Sequence, residues 1–209
     1  MRLVIGARFP ASKEAGYSGR GSVVSTHARQ LGYHARIVTH LRRIETHDRF
    51  FFVTTNLAQN LAQFTPAERD LILEVLADQR NRGDFFLFGY VVMPTHVHLL
   101  LHPHNRNLIQ LMRNLKSKTG FAISRARSSS GPIWQERYFD TIIRHARNFW
   151  QKLEYIHRNP VEAGLAEKPE DWPWSSGRHY HNRAPIPVPV DPTGFSSEGT
   201  EYLWPAPWR

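Results

Sequence analysis

Residues 91–102 read VVMPTHVHLLLH. This stretch predicts a strand, a tight turn at Pro94-Thr95 and a second strand that carries two histidines. Side chains alternate between the two faces of a strand, so His96 and His98 project from one face and Val97 from the other. Two imidazoles side by side on a rigid strand are half of a site for a divalent metal ion. Because His-x-His alone is a weak signal, the remainder of the chain must supply the other half.

Composition limits the classes of protein to consider. The 209 residues, 41% of them hydrophobic, suffice for one good core, which favours a single domain with appendages. The chain has no cysteine, which excludes disulfides, thiolate zinc sites and cysteine nucleophiles. Neither a secretory signal nor an apolar run of about 18 residues is present, so we expect a cytoplasmic protein with no membrane contact.

The charge of the chain predicts an anionic partner. The net charge is +9, and six Lys or Arg with no acid lie between Arg106 and Arg127. Such a density of positive charge favours nucleic acid, and hence a nucleoid-associated location, over a plainly solvated helix face. Candidate contacts are Arg113, Lys116 and Lys118. Arg42-Arg43, in the basic leader, is as consistent with a solubilising pair as with a phosphate contact.

Periodicity and capping signals give the order of elements. Strands are predicted at 49–56, 85–93, 96–103 and 138–144. Helices are predicted to begin after Thr65, Asn107 and His145. The last helix should end near 159, before Pro160. The first six elements match β-α-β-β-α-β. The prediction is an α+β fold: a ferredoxin-like antiparallel sheet with an added C-terminal helix. Its first and third strands would be central.

Three segments follow from this assignment. A basic N-terminal extension covers residues 1–48, one domain covers 49–177, and a Pro-rich tail, expected to be irregular, covers 178–209. The last helix of the domain sets Tyr155 beside Arg158 and Asn159, since residues three and four apart are neighbours on a helix. Taken alone, Tyr155 is typical of a half-buried core aromatic.

Four motifs carry a family resemblance: MPTHVHLLLHP (93–103), IWQERYFDTIIR (133–144), YIHRNPVEAGL (155–165) and EDWPWSS (170–176). In this order and spacing they resemble the REP-associated tyrosine transposases, within the single-tyrosine HUH endonucleases. The resemblance implies that Tyr155 is the nucleophile. It also implies that His96 and His98 bind a divalent cation, Mg²⁺ or Mn²⁺, with Asn159, one turn after the tyrosine, as the third contact.

The resemblance further implies the substrate, which is a single-stranded DNA hairpin of the REP palindrome type. Cutting would leave a covalent 5′-phosphotyrosine, which a 3′-OH can attack to rejoin strands. Gln135 and Arg137, in the second motif, and Arg158 are expected DNA contacts, although Arg158 equally suits a plain helix end. Trp134 is either a base-stacking residue or a buried anchor. A monomer and a homodimer both remain open.

Two other functions remain open at this point. In the first, the chain is a retained regulatory module that binds the hairpin without cutting it. In the second, it is a phosphodiesterase that uses metal-activated water. The complete set of His96, His98 and Tyr155 argues against a module that has lost its chemistry, and an experiment must separate the strand transferase from hydrolysis by water.

Overall fold

The computed structural model describes residues 49–182 and 184–192, so the leader with Arg42 and Arg43 lies outside the described residues. The elements are β1 (Phe50–Asn56), α1 (Pro66–Asn81), β2 (Phe85–Val92), β3 (His96–Pro103), α2 (Leu108–Ala126), β4 (Phe139–Ile143), α3 (Ala146–Glu162), a 3-10 helix (Pro169–Asp171) and α4 (Gly177–Asn182). Within the described part of the chain, no helix has the length and apolarity needed to cross a membrane.

The four strands form one antiparallel sheet in the order β2-β3-β1-β4. This order confirms the ferredoxin-like α+β prediction, with β1 and β3 in the centre. In the register of β1 and β3, Thr54 lies opposite His98 and Asn56 opposite His96. The histidine strand is therefore fixed on both sides by neighbouring strands.

Helices cover both faces of the sheet. On one face α1 and α2 pack on an apolar layer that includes Val53, Val97 and Leu99. On the other face α3 packs through Phe149, Leu153 and Ile156 on a layer that shares its face with His98. Burial on both sides explains why β2 is apolar at nearly every position.

The first two helices begin where their capping residues predict. Thr65 and Glu68 form a complete capping box at α1, and Asn107 and Gln110 form another at α2. In each box the side chain of the cap accepts from the N3 backbone N–H, and the N3 side chain accepts from the N–H of the cap. Each cap stabilises its helix by about 1 kcal/mol.

Helix α3 extends past the point where Pro160 was expected to end it, so that prediction was wrong. The helix continues to Glu162, and its last turn is closed by hydrogen bonds from the N–H groups of Ala163 and Leu165 to the carbonyls of Asn159 (3.0 Å) and Pro160 (2.8 Å). A proline near a helix end removes one backbone donor, and the buried Pro160 ring gains packing in exchange. The helix stops before Gly164, whose φ is +68°.

The tail prediction was wrong for residues 177–182, which form α4, whereas residues 184–192 have no regular structure, as expected. The tail covers the outer edge of β2. Val188 is fully buried. The N–H of Asp191 donates to the carbonyl of Leu87 (2.6 Å), and its carboxylate pairs with Arg80 (2.6 Å). These long-range contacts are not visible as periodicity. The boundary at 177 itself stays a prediction.

Helix α3 lies so close to β2 that one strand position has no room for a side chain. A Cβ atom on Gly89 would lie 2.5 Å from Cδ1 of Leu153 and 3.6 Å from Cδ1 of Ile156. The same strand is bulged between Leu87 and Gly89, which adjusts its surface toward the helix. Gly89 therefore sets the distance between α3 and the sheet.

We expect Gly89→Ala to lower the free energy of unfolding by about 1–3 kcal/mol, because the added methyl group overpacks a filled interface. Chemical denaturation measures the change. Gly131→Ala is the matched control, since a Cβ atom there meets nothing within 4 Å. Equal stability of Gly89→Ala and the wild type would contradict the close approach.

A second contact ties α3 to the sheet edge through His157. This side chain is buried, and its Nε2 lies 2.9 Å from Oγ of Ser176, which in turn accepts from the N–H of Tyr90 at 3.0 Å. Burial, and then the neighbouring His181 and His179, lower the pKa of His157 to about 3. The imidazole is therefore neutral in the folded protein at any pH near neutrality.

This lowered pKa makes stability depend on pH. Below about pH 6.5 the unfolded chain binds a proton at His157 that the folded chain does not, so stability falls as pH falls from there toward 3. Between pH 7 and pH 5, His157→Gln should lose roughly 1–2 kcal/mol less stability than the wild type in denaturant titrations. The exposed His145→Gln is the control. Identical pH dependence of His157→Gln and the wild type would refute the assignment.

Candidate active site

The two histidines of β3 meet one side chain of α3. The ring centroids of His96 and His98 are 4.7 Å apart. Nε2 of His96 lies 3.3 Å from Oδ1 of Asn159, and Nε2 of His98 lies 3.5 Å from Nδ2 of the same amide. The structure thus brings the two histidines together with an asparagine that lies more than 60 positions later in the sequence.

Both imidazoles are oriented through their other ring nitrogen. Nδ1 of His98 lies 2.8 Å from Oγ1 of Thr54, and Nδ1 of His96 lies 3.1 Å from Oγ1 of Thr95. Partners of this kind fix the ring and leave Nε2 available to a ligand. Thr54 holds its place because β1 pairs it directly with His98.

Burial keeps both imidazoles neutral. Desolvation, and then the electrostatic influence of the neighbouring His96 and Lys152, lower the pKa of His98 to about 3. Desolvation also lowers the pKa of His96, although the hydrogen bond to Asn159 partly opposes the shift. Neutral imidazole is the form that binds a metal ion, so neither side chain must lose a proton before it coordinates one.

The donor set fits a hard cation with open positions. The amide of Asn159 meets His96 through Oδ1 and His98 through Nδ2, and two imidazole nitrogens with an amide oxygen are groups that could hold a divalent cation. Across residues 49–182 and 184–192, no three His, Cys, Asp or Glu side chains form a group able to hold a metal. Among the described residues, the side chain of Asn159 is the further group that approaches Nε2 of both histidines.

Tyr155 lies beside this group in the same chain. Its ring centroid is 5.3 Å from that of His98, at an interplanar angle of 65°, and 5.9 Å from that of Phe52. The side chain is 41% exposed, so it is not the half-buried core aromatic that the residue alone suggested. One helical turn separates it from Asn159, which places the phenol and the amide on adjacent parts of one surface.

Sequence reasoning missed two side chains of this centre, Thr54 and Lys152. The ammonium of Lys152 lies 4.6 Å from the ring centroid of Phe52 and 5.6 Å from that of Tyr155. This ammonium places a positive charge beside the phenol ring. Its spacing three residues before Tyr155 was a usable signal, whereas Thr54 needed the register of β1 against β3.

The other predicted contacts on this side of the sheet surround the centre. The exposed Arg158 pairs with Glu162 at 3.4 Å, one turn along α3. The N–H of Gln135 donates to the carbonyl of Asn56 at 2.9 Å, which places the segment before β4 at the end of β1 next to the histidines. Arg137 follows on this segment and is exposed.

The basic face of α2 lies elsewhere, because α2 covers the opposite face of the sheet. Arg113 is exposed there. Lys116 donates to the carbonyls of Gln135 (2.6 Å) and Glu136 (2.7 Å), and Lys118 pairs with Asp78 at 3.0 Å. Lys116 thus reaches the segment that Gln135 ties to the end of β1, whereas no hydrogen bond among the described residues joins Arg113 or Lys118 to the histidines.

The tryptophans of the motifs are structural. Trp134 is buried, and its Nε1–H donates to Oγ1 of Thr119 at 2.9 Å, which selects the anchor over the base-stacking alternative. Nε1–H of Trp172 donates to the carbonyl of Val92 at 3.1 Å. Both indoles hold segments that frame the centre without entering it.

Comparison with known proteins gives three findings. Residues 46–159 match the family model described as "Transposase IS200 like". A REP-associated tyrosine transposase of Escherichia coli K12 is 25% identical over 151 residues, covering 70% of this chain and 88% of the relative. A Haemophilus influenzae protein assigned to the same group is 28% identical over 153 residues, covering 66% and 85%.

A solved structure agrees in fold. It is a REP-associated tyrosine transposase bound to a REP hairpin, and it superimposes with a TM-score of 0.58 at 24% sequence identity. The match covers 78% of this chain and 98% of the other. The sheet and helices described above are thus an arrangement already seen in a solved protein.

We expect Thr54→Val to weaken Mn²⁺ binding about 10- to 100-fold, because His98 loses the partner that orients its ring. Isothermal titration calorimetry on the DNA-free protein measures this affinity. Thr141→Val, on the same face but without a hydrogen bond to either histidine, is the matched control. Unchanged affinity in Thr54→Val would show that the hydroxyl does not orient a ligand.

Proposed function

The chain belongs to the IS200-like transposase family, and from this premise we propose that it cuts and rejoins single-stranded DNA beside REP-type hairpins through a 5′-phosphotyrosine on Tyr155. Its membership and its similarity to two relatives confirm the resemblance to REP-associated tyrosine transposases and its assignment as an enzyme. One observation carries the finer proposal: the ring of Tyr155 lies against His98, and the Nε2 atoms of both His98 and His96 approach the side chain of Asn159.

A divalent cation, Mg²⁺ or Mn²⁺, is part of the proposal. His96, His98 and Asn159 would hold it. When bound, the cation neutralises charge on a non-bridging oxygen of the scissile phosphate. The neutral imidazoles and the amide oxygen provide a site without a carboxylate, so the ion keeps most of its charge for the phosphate.

Tyr155 supplies the nucleophile. Its phenolate oxygen attacks phosphorus, the bond from phosphorus to the 3′ oxygen breaks, and this oxygen leaves as a hydroxyl after taking a proton. The 5′ phosphate then stays on the tyrosine. A later 3′-OH attacks the same phosphorus, the bond to the phenol oxygen breaks, and the tyrosine regains its proton. Phosphodiester energy is conserved, as strand rejoining requires.

Lys152 and Tyr155 have different roles at the phosphate. Lys152 lies one turn before the nucleophile, where its ammonium attracts the oxygens that carry developing charge. Tyr155 is exposed enough for a DNA strand to reach its ring from solvent. The burial of His98 behind it keeps water from one side of the reacting group.

The hairpin is proposed as the partner because a structural relative is bound to one. Gln135, Arg137 and Arg158 would contact DNA near the centre, and Arg113, Lys116 and Lys118 would do so across the sheet edge. Arg42 and Arg43 stay predicted contacts. All proposed catalytic groups come from one chain, so a monomer suffices and a homodimer is not required. A cytoplasmic, nucleoid-associated location accords with such a substrate.

The decisive test is a denaturing gel of a labelled single-stranded hairpin incubated with the protein and Mn²⁺. We expect a covalent protein–DNA adduct that Tyr155→Phe abolishes, since phenylalanine has no oxygen to attack phosphorus. The exposed His145→Ala is the control and should still form the adduct. Cutting that survives Tyr155→Phe would instead indicate hydrolysis by water.

His96→Ala separates chemistry from binding. We expect it to abolish cutting while most of the hairpin affinity survives, because phosphate contacts supply most of the binding free energy. Fluorescence anisotropy measures the affinity. Hairpin binding by the wild type with no cutting under any metal would identify a binding module rather than a transferase.

A further inference from the structure

One large apolar side chain lies in the open beside the proposed centre. Phe139, the first residue of β4, is 66% exposed. A single exposed apolar side chain is common on protein surfaces, so the case for a ligand depends on where this ring lies. Its position on the sheet identifies which ligand could reach it.

The register places Phe139 on the face of the histidines. Thr54 lies opposite His98 on one side and opposite Phe139 on the other, so the three residues form a row across β3, β1 and β4. Directly paired residues point to the same face of a sheet. Since strands are spaced by about 4.8 Å, Phe139 lies about 10 Å from His98 along this row.

Helix α3 leaves this part of the face uncovered. Ile143, at the far end of β4, is buried in the layer under α3 together with Phe149. Thr141 and Phe139, which alternate with it on the same face, are exposed. A shallow surface therefore runs from the phenol of Tyr155, past Thr54, to the ring of Phe139.

Charged side chains lie along and around β4: Glu136, Arg137 and Asp140 are close to Phe139 in the chain, whereas Arg144 and Arg147 lie past the far end of the strand. Arg137, Arg144 and Arg147 flank β4 and are exposed, and none of them has an ion pair with a carboxylate of the described residues. Arg147 lies in the first turn of α3, which contains no acid, although cations are unfavourable at that end of a helix.

We propose that Phe139 is a stacking platform for one base of the single strand next to the phosphate that Tyr155 attacks, with Arg137, two residues before it, holding the adjoining backbone. Aromatic rings between cations are the usual means of gripping single-stranded nucleic acid, because every base has a stacking face. The inference rests on the proposed function for the identity of the strand. It adds a contact that positions DNA without taking part in bond making.

A second copy of the chain is the competing occupant of this surface. An interface between copies would need apolar neighbours around Phe139, but the residues close to it in the chain, Glu136, Arg137 and Asp140, are charged. Arg137 attracts the backbone of a DNA strand. The polar surroundings therefore favour the base over the second copy.

The test measures affinity without cutting. In the full chain carrying Tyr155→Phe, fluorescence anisotropy compares a hairpin with single-stranded extensions on both sides and the same hairpin with single abasic residues placed at successive extension positions. We expect one position at which removing the base weakens binding roughly 10-fold or more. In Phe139→Ala the intact DNA should bind that much more weakly, and the abasic residue at that position should cost nothing further.

Two variants complete the design. Phe139→Trp should retain the intact affinity, since indole stacks at least as well. Phe121→Ala removes an equally exposed ring from α2, on the opposite face of the sheet, and should leave the abasic profile unchanged. Independent, additive effects of Phe139→Ala and the abasic residue would overturn the proposal. Wild-type DNA affinity in Phe139→Ala would also overturn the proposal. Light scattering of that variant shows separately whether its dimerisation has changed, and neither result would rescue the proposal.

The outcomes keep this inference apart from the proposed function. If hairpins bind and adducts form but Phe139 is without effect, the stacking platform alone is refuted. If the wild type binds no hairpin and forms no adduct, the proposed function is refuted and the platform falls with it. Phe139 is exposed, so loss of folding is not expected, and thermal unfolding of each variant checks this.

Discussion

The close approach of α3 to β2 governs the geometry of the whole centre. Gly89 allows Leu153 to rest against the strand backbone, and the bulge beside it adapts the surface to the helix. From that anchor, Tyr155 and Asn159 follow at half a turn and one and a half turns along the same helix. A small change in the distance from helix to sheet would therefore move both functional groups together, relative to histidines that the sheet holds still.

Burial removes water from the imidazoles of both histidines, and the surrounding hydroxyls and amide replace the lost hydrogen bonds. A buried imidazole without partners would be destabilising, yet both ring nitrogens of His98 and of His96 have a neighbour within hydrogen-bond distance. The same partners fix the ring orientations before any ligand arrives. Desolvation lowers the pKa of each imidazole, so preorganisation and the neutral state arise from one cause.

Much of this arrangement could be predicted from local sequence. Alternation along β3 correctly placed His96 and His98 on one face, and the element order gave the sheet topology. Helical spacing put Tyr155 near Asn159. These are properties of single elements or of a common topology, so neighbouring residues suffice to reveal them. The capping residues Thr65 and Asn107 marked helix starts for the same reason.

What the sequence could not reveal depends on contacts between distant segments. Thr54 matters because of its register against His98, and the basic residues of α2 proved to lie on the opposite face of the sheet from the histidines. The sequence predicted that these basic residues share one side of a helix, but it did not predict which face of the sheet that helix covers. Residues 177–192 have no apolar period, and the edge of β2 stabilises them. The prediction from Pro160 was wrong because burial of its ring outweighs the tendency of proline to end a helix.

The central claim is that two imidazoles, an amide and a phenol of one chain share a centre for a cation. Fluorine NMR of protein labelled with 3-fluorotyrosine tests it most directly, with the resonance of Tyr155 among the seven tyrosines identified by its absence in Tyr155→Phe. Addition of substoichiometric Mn²⁺ should broaden the Tyr155 resonance before the others, and His96→Ala should abolish that selectivity. A Tyr155 resonance that stays sharp at saturating Mn²⁺ would contradict the account.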